Sequence, residues 1–389
     1  MKIYLICQQS LIKYPLPAYE HWANYLRNGI MEAGHEVQEI ENPHWAYGLN
    51  RLEKSDRMAW KAQQWQRTIE DIECKIQSGN RPDVILCYLF PEQIETSAIS
   101  ELRKKGIPIV NFFCDNVREF KKLPEEFAPF DLHWVPEKDA LSMYKNAGYP
   151  YMYRPMPMWV PPEHRTIAEK EMPGVSFIGS KDVQRVMLLN QVAKFLPELE
   201  VRGMGWMDQM GGLKKNTNQS VIQKVQNQVD YIQQNGLIAW YRKIKYRSFY
   251  PDPNEALKKC FRPSPDYSQY YQFLRSFQVT LGINRYPSFS FPIDQPDTYS
   301  RLRDLEAPMI GACYLTEFAP GISDLFEEGK EILTYKTVEE LVEQSKRLLK
   351  DASLRKQIRI EGQKRALADW SVPASIEVMA KDLGIKKPL

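Results

Sequence analysis

Short apolar runs alternate with longer segments of helical periodicity along most of this 389-residue chain. Strand-like runs in its first part are KIYLIC (2–7), HEVQEI (35–40), DVILCYL (83–89), IPIVNFF (107–113), DLHWVP (131–136) and YMYRPM (151–156). Helix-like segments lie between them, near 18–33, 53–77, 91–105 and 138–147. Strands that alternate with helices form βαβ units, so the pattern predicts a parallel sheet with helices packed on it.

A second series of the same kind follows a proline-rich segment. Its predicted strands are 175–179, 199–205, 279–284, 312–317 and 331–336, and its predicted helices are 182–195, 299–307, 321–328, 337–350 and 352–369. We therefore predict an α/β protein with two Rossmann-like domains that face a central cleft. The predicted divisions are an N-terminal domain (1–160), a linker (161–174), a C-terminal domain (175–370) and a last helix within 371–389, which could pack back on the N-terminal domain.

Residues 207–265 interrupt the second series of strands and helices. Their sequence predicts a helical insertion in the C-terminal domain. The insertion ends in a basic and aromatic segment, 240–247, with the sequence WYRKIKYR. One interpretation is a solvated helix with a few core aromatic side chains. The other is a surface that makes peripheral contact with an acceptor polymer or an anionic membrane face.

Charge and hydropathy exclude several classes of protein. A net charge of +3 gives no basic footprint for nucleic acid over the whole chain. No stretch approaches the ~18 apolar residues of a membrane span, and the N-terminus lacks a signal-peptide core. The six cysteines are widely spaced, four of them in apolar runs, so we expect reduced core cysteines and a cytoplasmic protein, with the inner membrane face as a possible contact.

Common cofactor and metal motifs are absent from the sequence. It contains neither GxGxxG nor GxxxxGK[ST], and RGMGWMDQMGG has the wrong spacing for a dinucleotide fingerprint. The five histidines form neither HExxH nor a compact cluster, and His133 is expected to be packed within a strand. We therefore expect no metal and no bound cofactor.

Ligands of open α/β sheets bind beyond the carboxyl ends of the strands, so the turns after the strands are the candidate binding segments. In the second series these turns are GSKDVQR, GMGW, NRYPS and EFAPGIS. In the last of them, Gly321 lies at a predicted helix N-terminus, whose free N–H groups would attract an anion. Arg285 and Arg303 could reach the same place and grip phosphate oxygens.

The last quarter of the chain resembles the C-terminal domain of CgeB-like glycosyltransferases, which belong to the group 1 superfamily of the GT-B fold. The resemblance rests on LGINRYPS (281–288) and on RDLEAPMIGACYLTEFAPGISDLFEEGKEILTYKTVEELVE, which begins at Arg303. FIGS (177–180), VRGMGW (201–206) and FFCDN (112–116) are similar to further family segments, though less specifically. Arg303 and Glu306 match the family's Arg and Glu, and Gly321 matches the glycine of its turn.

The resemblance implies a metal-independent, retaining transferase whose co-substrate is a nucleoside-diphosphate sugar. It implies that Arg285 and Arg303, with Lys181 or Arg185, contact the phosphates, that the Gly321–Ser323 backbone lies at the pyrophosphate, and that Glu306 accepts hydrogen bonds from the ribose. The remaining predicted contacts come from the same segments: Gly205, Trp206, Asn284, Thr316 and Ile322. The acceptor could be a glycan, protein, lipid or modified nucleic acid.

Each assignment has a structural alternative. Arg303 and Glu306 are three residues apart and could pair on a helix face, while Lys181 and Arg185 could lie on a solvated face. Asp115 could orient the acceptor or act as a base, or could be a helix N-cap.

The chain also departs from the family pattern. Relatives carry a glutamate eight residues before the position of Glu306, where this chain has Thr298. Two alternatives to a transferase therefore stay open. They are a nucleotide-sugar epimerase or hydrolase and a non-catalytic relative that binds nucleotide sugar.

Overall fold

The computed structural model describes residues 1–10, 18–50, 54–207, 228, 241, 244, 251–288, 293 and 295–385. These residues form two compact units. One contains Met1–Pro162, Ser323–Leu325 and Lys364–Leu389, and the other contains Glu163–Ile322 and Phe326–Gln363. The first unit is therefore assembled from three separate stretches of the chain.

The described part of the first unit is built on a six-stranded parallel sheet of order β2-β1-β3-β4-β5-β6. Its strands are β1 (Lys2–Ile6), β2 (Glu36–Gln38), β3 (Val84–Tyr88), β4 (Ile109–Phe112), β5 (Leu132–Val135) and β6 (Tyr151–Tyr153). The helices are α1 (Ala18–Glu32), α2 (Lys54–Gln77), α3 (Thr96–Lys104), α4 (Asn116–Glu119) and α5 (Leu141–Ala147). The central strands β3 and β4 are buried along their whole length, as continuous apolar runs in a covered parallel sheet should be.

The described part of the second unit has a five-stranded parallel sheet of order β11-β10-β9-β7-β8. Its strands are β7 (Met172–Ile178), β8 (Leu199–Arg202), β9 (Phe277–Gly282), β10 (Tyr314–Glu317) and β11 (Leu333–Tyr335). Its helices are α6 (Val183–Val192), α7 (Glu255–Lys258), α8 (Tyr270–Ser276), α9 (Arg303–Met309), α10 (Ile322–Leu325), α11 (Val338–Lys350) and α12 (Ala352–Asp369), of which α10 and α12 continue into segments of the first unit. Apolar side chains of β7, β8, β9, α6 and α11 form its core.

The last helix, α13 (Val372–Asp382), packs against α1 within the first unit. Its Val372 lies so close to Gly29 that a Cβ on that glycine would be 2.4 Å from the valine Cβ. Real Cβ atoms do not approach so closely, so glycine is needed at position 29 for this contact.

The sequence patterns correctly predict two parallel Rossmann-like sheets, and every predicted strand is present. Several elements differ from prediction. β7 begins at Met172, inside the predicted linker, and α10 is a single turn, Ile322–Leu325, not the helix predicted over 321–328. The short helices α4 and α8 were not predicted. α10 ends at Leu325, because the next residue, Phe326, has extended backbone and a buried ring.

Two smaller predictions are confirmed. All six cysteines are free, and five of them are buried, including the four in apolar runs. His133 is fully buried in β5 and hydrogen-bonds the Phe127 carbonyl. None of the helices in the described ranges is long and apolar enough to cross a membrane.

Candidate functional site

Two glycine-containing loops meet at the carboxyl ends of β7 and β8. Gly203 has a φ of +128°, and a Cβ there would lie 2.2 Å from the carbonyl oxygen of Gly179. Trp206 is buried and donates its indole N–H to the same carbonyl at 2.7 Å. Gly205 has a φ of +85° and lies against Lys181, whose pKa burial lowers. Trp206 therefore holds the loop together, and Lys181 lies at its edge.

The start of α6 places Arg185 next to these loops. Asp182 is buried and accepts the backbone N–H groups of Gln184 and Arg185, at 2.9 and 3.1 Å, which makes it the N-cap of the helix. Its second oxygen pairs with Nε of Arg185 at 3.2 Å. The guanidinium also donates to the Ser180 carbonyl at 2.6 Å. Arg185 is thus fixed at the carboxyl edge of the sheet and does not lie on a solvated face.

Three arginines converge at this edge of the second sheet. Burial and the positive charges of Arg301 and Arg303 together lower the pKa of Arg185 to about 10, against the opposing effect of Asp182. Like charges repel, and such repulsion is strong where side chains are partly buried. A cluster of guanidinium groups of this kind is suited to bind an anion, because the anion would offset the repulsion between them.

Arg301 is held by its surroundings, although only Arg303 has the family's spacing to Glu306. Its guanidinium lies 4.7 Å from the centroid of the Tyr299 ring and donates to the Arg285 carbonyl at 2.6 Å. Its Nε is buried and has no hydrogen-bond partner within the described ranges. The family spacing does not select Arg301, but the structure brings it to the same cluster.

Glu306 lies in the first turns of α9 and is 7% exposed. Its Oε2 pairs with Nε of Arg303 at 3.0 Å and accepts the Tyr270 hydroxyl at 2.9 Å. The Arg303 guanidinium lies 5.5 Å from the centroid of the Tyr270 ring. Arg303 and Glu306 therefore form the ion pair that their spacing allowed. Tyr270 of α8 contacts both members of the pair.

Arg285 makes an ion pair with Glu317 at the ends of β9 and β10. Its Nε donates to Oε1 and Oε2 of Glu317, at 3.0 and 3.2 Å, and its Nη2 donates to Oε1 as well. Glu317 also accepts the backbone N–H groups of Asn284 and Arg285, both at 3.1 Å. Thr298 forms an isolated antiparallel bridge with Arg285. The Arg285 guanidinium is thus engaged by a buried carboxylate of its own unit.

A buried network around Asp304 supports this edge. The Asp304 carboxylate is fully buried and accepts hydrogen bonds from Tyr314, Thr316 and Asn284, each at 2.9 Å. It also accepts the backbone N–H of Arg301 at 3.1 Å. Asn284 and Thr316, both predicted to contact the ligand, are fully buried members of this network. Asp304 ties the start of α9 and the Arg301 backbone to the ends of β9 and β10.

The turn after β10 contains Gly321, Ile322 and Ser323. Gly321 has a φ of +87°, a conformation that favours glycine, and it precedes α10. Ile322 is buried, whereas Ser323 is exposed and belongs to the first unit. Because α10 is only one turn long, its aligned peptide dipoles are fewer than the predicted helix over 321–328 would supply.

Asp115 follows β4 in the first unit and is partly exposed. It precedes α4, but its side chain makes no capping hydrogen bond. That bond comes from Glu137, which follows β5 and accepts the Asn116 N–H at 2.6 Å. Burial raises the pKa of Glu137 to about 7, and the Asp115 charge adds to this effect. Sequence reasoning missed Glu137, although it too follows a strand at the carboxyl edge.

The remaining described residues add no metal site. Among the residues described, no three His, Cys, Asp or Glu side chains are grouped to hold a metal ion. The predicted surface 240–247 lies outside the described residues except Tyr241 and Ile244, which are exposed. The same applies to most of the predicted insertion over 207–265.

Two parallel-sheet Rossmann-like units of this kind make up the GT-B architecture of glycosyltransferases. HepE from Anabaena, in complex with UDP and glucose, matches with a TM-score of 0.56 at 12% identity, over 99% of each chain. Sucrose-phosphate synthase from Thermosynechococcus elongatus matches with a TM-score of 0.53 at 11% identity, over 98% of this chain and 99% of that chain. AviGT4, a glycosyltransferase involved in avilamycin A biosynthesis, matches with a TM-score of 0.52 at 12% identity, over 98% of this chain and 96% of that chain. At these identities the likeness shows the fold.

A comparison with models of protein families adds information on the class of protein. Residues 187–380 match the family model described as "Glycosyl transferase-like". This range contains Arg301, Arg303, Glu306 and the Asp304 network. The match and the fold together support the glycosyltransferase superfamily for this chain. A comparison with curated proteins found no match.

Proposed function

We propose that this protein is a metal-independent, retaining glycosyltransferase of the CgeB-like branch, which transfers a sugar from a nucleoside-diphosphate sugar to an acceptor. The observation that carries the proposal is the convergence of Arg185, Arg301 and Arg303 at the carboxyl edge of the second sheet. Ligands of open α/β sheets bind at this edge. Arg185 and Arg303 each have one carboxylate partner, Asp182 and Glu306, and a diphosphate would add further negative charge beside all three guanidinium groups.

The contacts of the described residues support separate roles in this site. Arg185, Arg301 and Arg303 would bind the phosphate oxygens, and Lys181 would lie beside them. Glu306, held by Arg303, would accept hydrogen bonds from the ribose hydroxyls. The backbone at Gly321 would approach the pyrophosphate. Arg285 would act through Glu317, by fixing the loop that carries the site.

Transfer of a sugar from a nucleotide requires positive charge near the phosphates, and the guanidinium groups of this site would supply it. Cleavage of the bond between sugar and phosphate develops negative charge on the departing nucleoside diphosphate and positive charge on the sugar. Guanidinium groups already aimed at the phosphates stabilise that charge without rearrangement in the transition state. In the first unit, Asp115 would orient the acceptor or take its proton. Retention at the anomeric carbon rests on the family resemblance.

A binding experiment tests the site. Calorimetric titration of the wild-type protein with UDP, GDP, ADP and dTDP should give micromolar binding of at least one of them; the HepE complex with UDP makes UDP the first probe. Arg303→Gln should weaken binding tenfold or more while the protein stays folded. Arg347→Gln removes the same charge from an exposed position of α11 and should leave affinity unchanged. Equal affinity of wild type and Arg303→Gln would overturn the assignment.

A turnover experiment separates transfer from the alternatives. Nucleotide release that requires an acceptor supports transfer, and release without acceptor supports a hydrolase or epimerase. Thermal stabilisation without release supports a binding protein. Activity that persists in EDTA supports metal independence, and NMR of the product's anomeric proton decides retention. Co-sedimentation with anionic vesicles tests whether this protein, which we propose to be cytoplasmic, contacts the inner membrane face through residues 240–247.

A further inference from the structure

We propose that Tyr270 is a positioning residue which fixes the Glu306 carboxylate so that only Oε1 is left to receive a ribose hydroxyl. This inference rests on the proposed function of the same site and adds a residue that neither the motifs nor the family spacing includes. Tyr270 comes from α8, which precedes β9, whereas Arg303 and Glu306 belong to α9. The three residues therefore meet only in the folded unit.

The polar contacts of the Glu306 carboxylate involve one of its two oxygens. Oε2 accepts the Tyr270 hydroxyl at 2.9 Å and forms an ion pair with Arg303, whose Nε lies 3.0 Å away. Oε1 receives no hydrogen bond from the residues that the structure describes. The Tyr270 hydrogen bond and the Arg303 charge therefore both act on Oε2, and Oε1 is the oxygen left open to a further donor.

Tyr270 is suited to act as a permanent donor. Burial raises the pKa of Tyr270 well above its ordinary value, so its hydroxyl stays protonated at neutral pH. Its ring lies beneath the Arg303 guanidinium, 5.5 Å from centroid to Cζ, which holds the arginine over the same carboxylate. The hydroxyl and the ring thus orient both members of the Arg303–Glu306 pair.

Removal of the hydroxyl should change recognition of the ribose more than recognition of the phosphates. In Tyr270→Phe the ring and its contact with Arg303 remain, but Glu306 loses one of two restraints and can rotate. Its carboxylate would then be less well placed for a ribose hydroxyl. Because the guanidinium groups are untouched, phosphate binding should persist.

The test measures how the loss of a ribose hydroxyl and the loss of the Tyr270 hydroxyl affect binding, separately and together. Affinities for UDP, 2′-deoxy-UDP and 3′-deoxy-UDP are measured by calorimetry for wild type and Tyr270→Phe, or the GDP or ADP series is used if wild type selects that base. Tyr270→Phe should bind the ribonucleotide about fivefold to tenfold more weakly. Tyr270→Phe and wild type should bind at least one deoxy analogue with nearly equal affinity. That analogue lacks the hydroxyl from which Glu306 would accept a hydrogen bond.

Controls keep the inference separate from the proposed function. Tyr271→Phe removes the hydroxyl of the neighbouring tyrosine, which packs against His164, and should leave the three affinities unchanged. An equal loss for all three ligands in Tyr270→Phe, or no loss for any, would overturn the positioning role while the nucleotide site stands. Failure of the wild-type protein to bind any nucleoside diphosphate would overturn the proposed function itself.

Discussion

Arg285 donates to both oxygens of the Glu317 carboxylate, and so links the end of β9 to the end of the neighbouring strand β10. Glu317 is 4% exposed, which makes this a buried ion pair. The pair raises the pKa of Arg285 against the opposing effect of its burial. Arg285 therefore contributes first to the stability of the loop that carries the site.

Arg285→Ala should destabilise the second unit by about 3–5 kcal/mol, because it leaves the buried Glu317 charge without its partner. Urea denaturation followed by tryptophan fluorescence measures the change. Lys258→Ala breaks an exposed pair with Glu255 and should not measurably change stability. If Arg285→Ala lowered nucleotide affinity at unchanged stability, the arginine would be a direct ligand contact instead.

Asp304→Asn should destabilise the protein by about 2–4 kcal/mol, although the side chain keeps its shape. The amide would turn an N–H toward donors that now share the carboxylate, among them Asn284 and the backbone N–H of Arg301. Asp266→Asn makes the same change at an exposed position and serves as the control. Equal midpoints of urea unfolding in the two variants would contradict a central role for Asp304.

Arg301→Gln should weaken binding of inorganic pyrophosphate by about tenfold, since one of three converging guanidinium groups is lost. Thermal melting in a pyrophosphate series measures the effect: the midpoint should rise with concentration in wild type and much less in the variant. Arg347→Gln again controls for net charge. Stabilisation that is identical in wild type and Arg301→Gln would remove Arg301 from the site.

Glu137 should make the protein less stable as the pH rises from about 5 to about 8. Its pKa of about 7 in the folded protein lies above the ordinary 4.5, so the folded state binds the proton more tightly than the unfolded state. Its stabilisation is complete below pH 4.5 and disappears as the pH passes 7, a loss of up to about 3 kcal/mol. Glu137→Gln should flatten this decline.

Urea unfolding at several pH values compares wild type with Glu137→Gln and with Glu92→Gln, an exposed glutamate in the same unit. The Glu92 variant should follow the wild-type curve. A Glu137→Gln curve that is parallel to wild type throughout this range would show that Glu137 ionises normally in the folded protein.

The strands were predictable because continuous apolar runs are what a covered parallel sheet requires, and the two sheets follow from them. The partners of individual side chains were not predictable in the same way. Asn284 and Arg285 were predicted as ligand contacts, yet Glu317, 32–33 residues later, receives their hydrogen bonds. Only the pairing of β9 with β10 brings these positions together.

Two further residues show what a local pattern can and cannot find. Glu137 follows β5 as Asp115 follows β4, so the rule that selected Asp115 also selects Glu137 when applied to the next strand. Tyr270 gave no such indication. Its helix, Tyr270–Ser276, has only seven residues, too few for a periodic pattern, and its contact with Glu306 spans 36 positions.

The three-part composition of the first unit has a consequence for its synthesis. Most of this unit is translated first, but α13, which covers α1, is translated last. The nascent first unit therefore emerges from the ribosome with the α1 surface around Gly29 uncovered, and it stays incomplete until residues 372–382 follow. A ribosome that stalls within the second unit would thus leave an apolar surface available to chaperones.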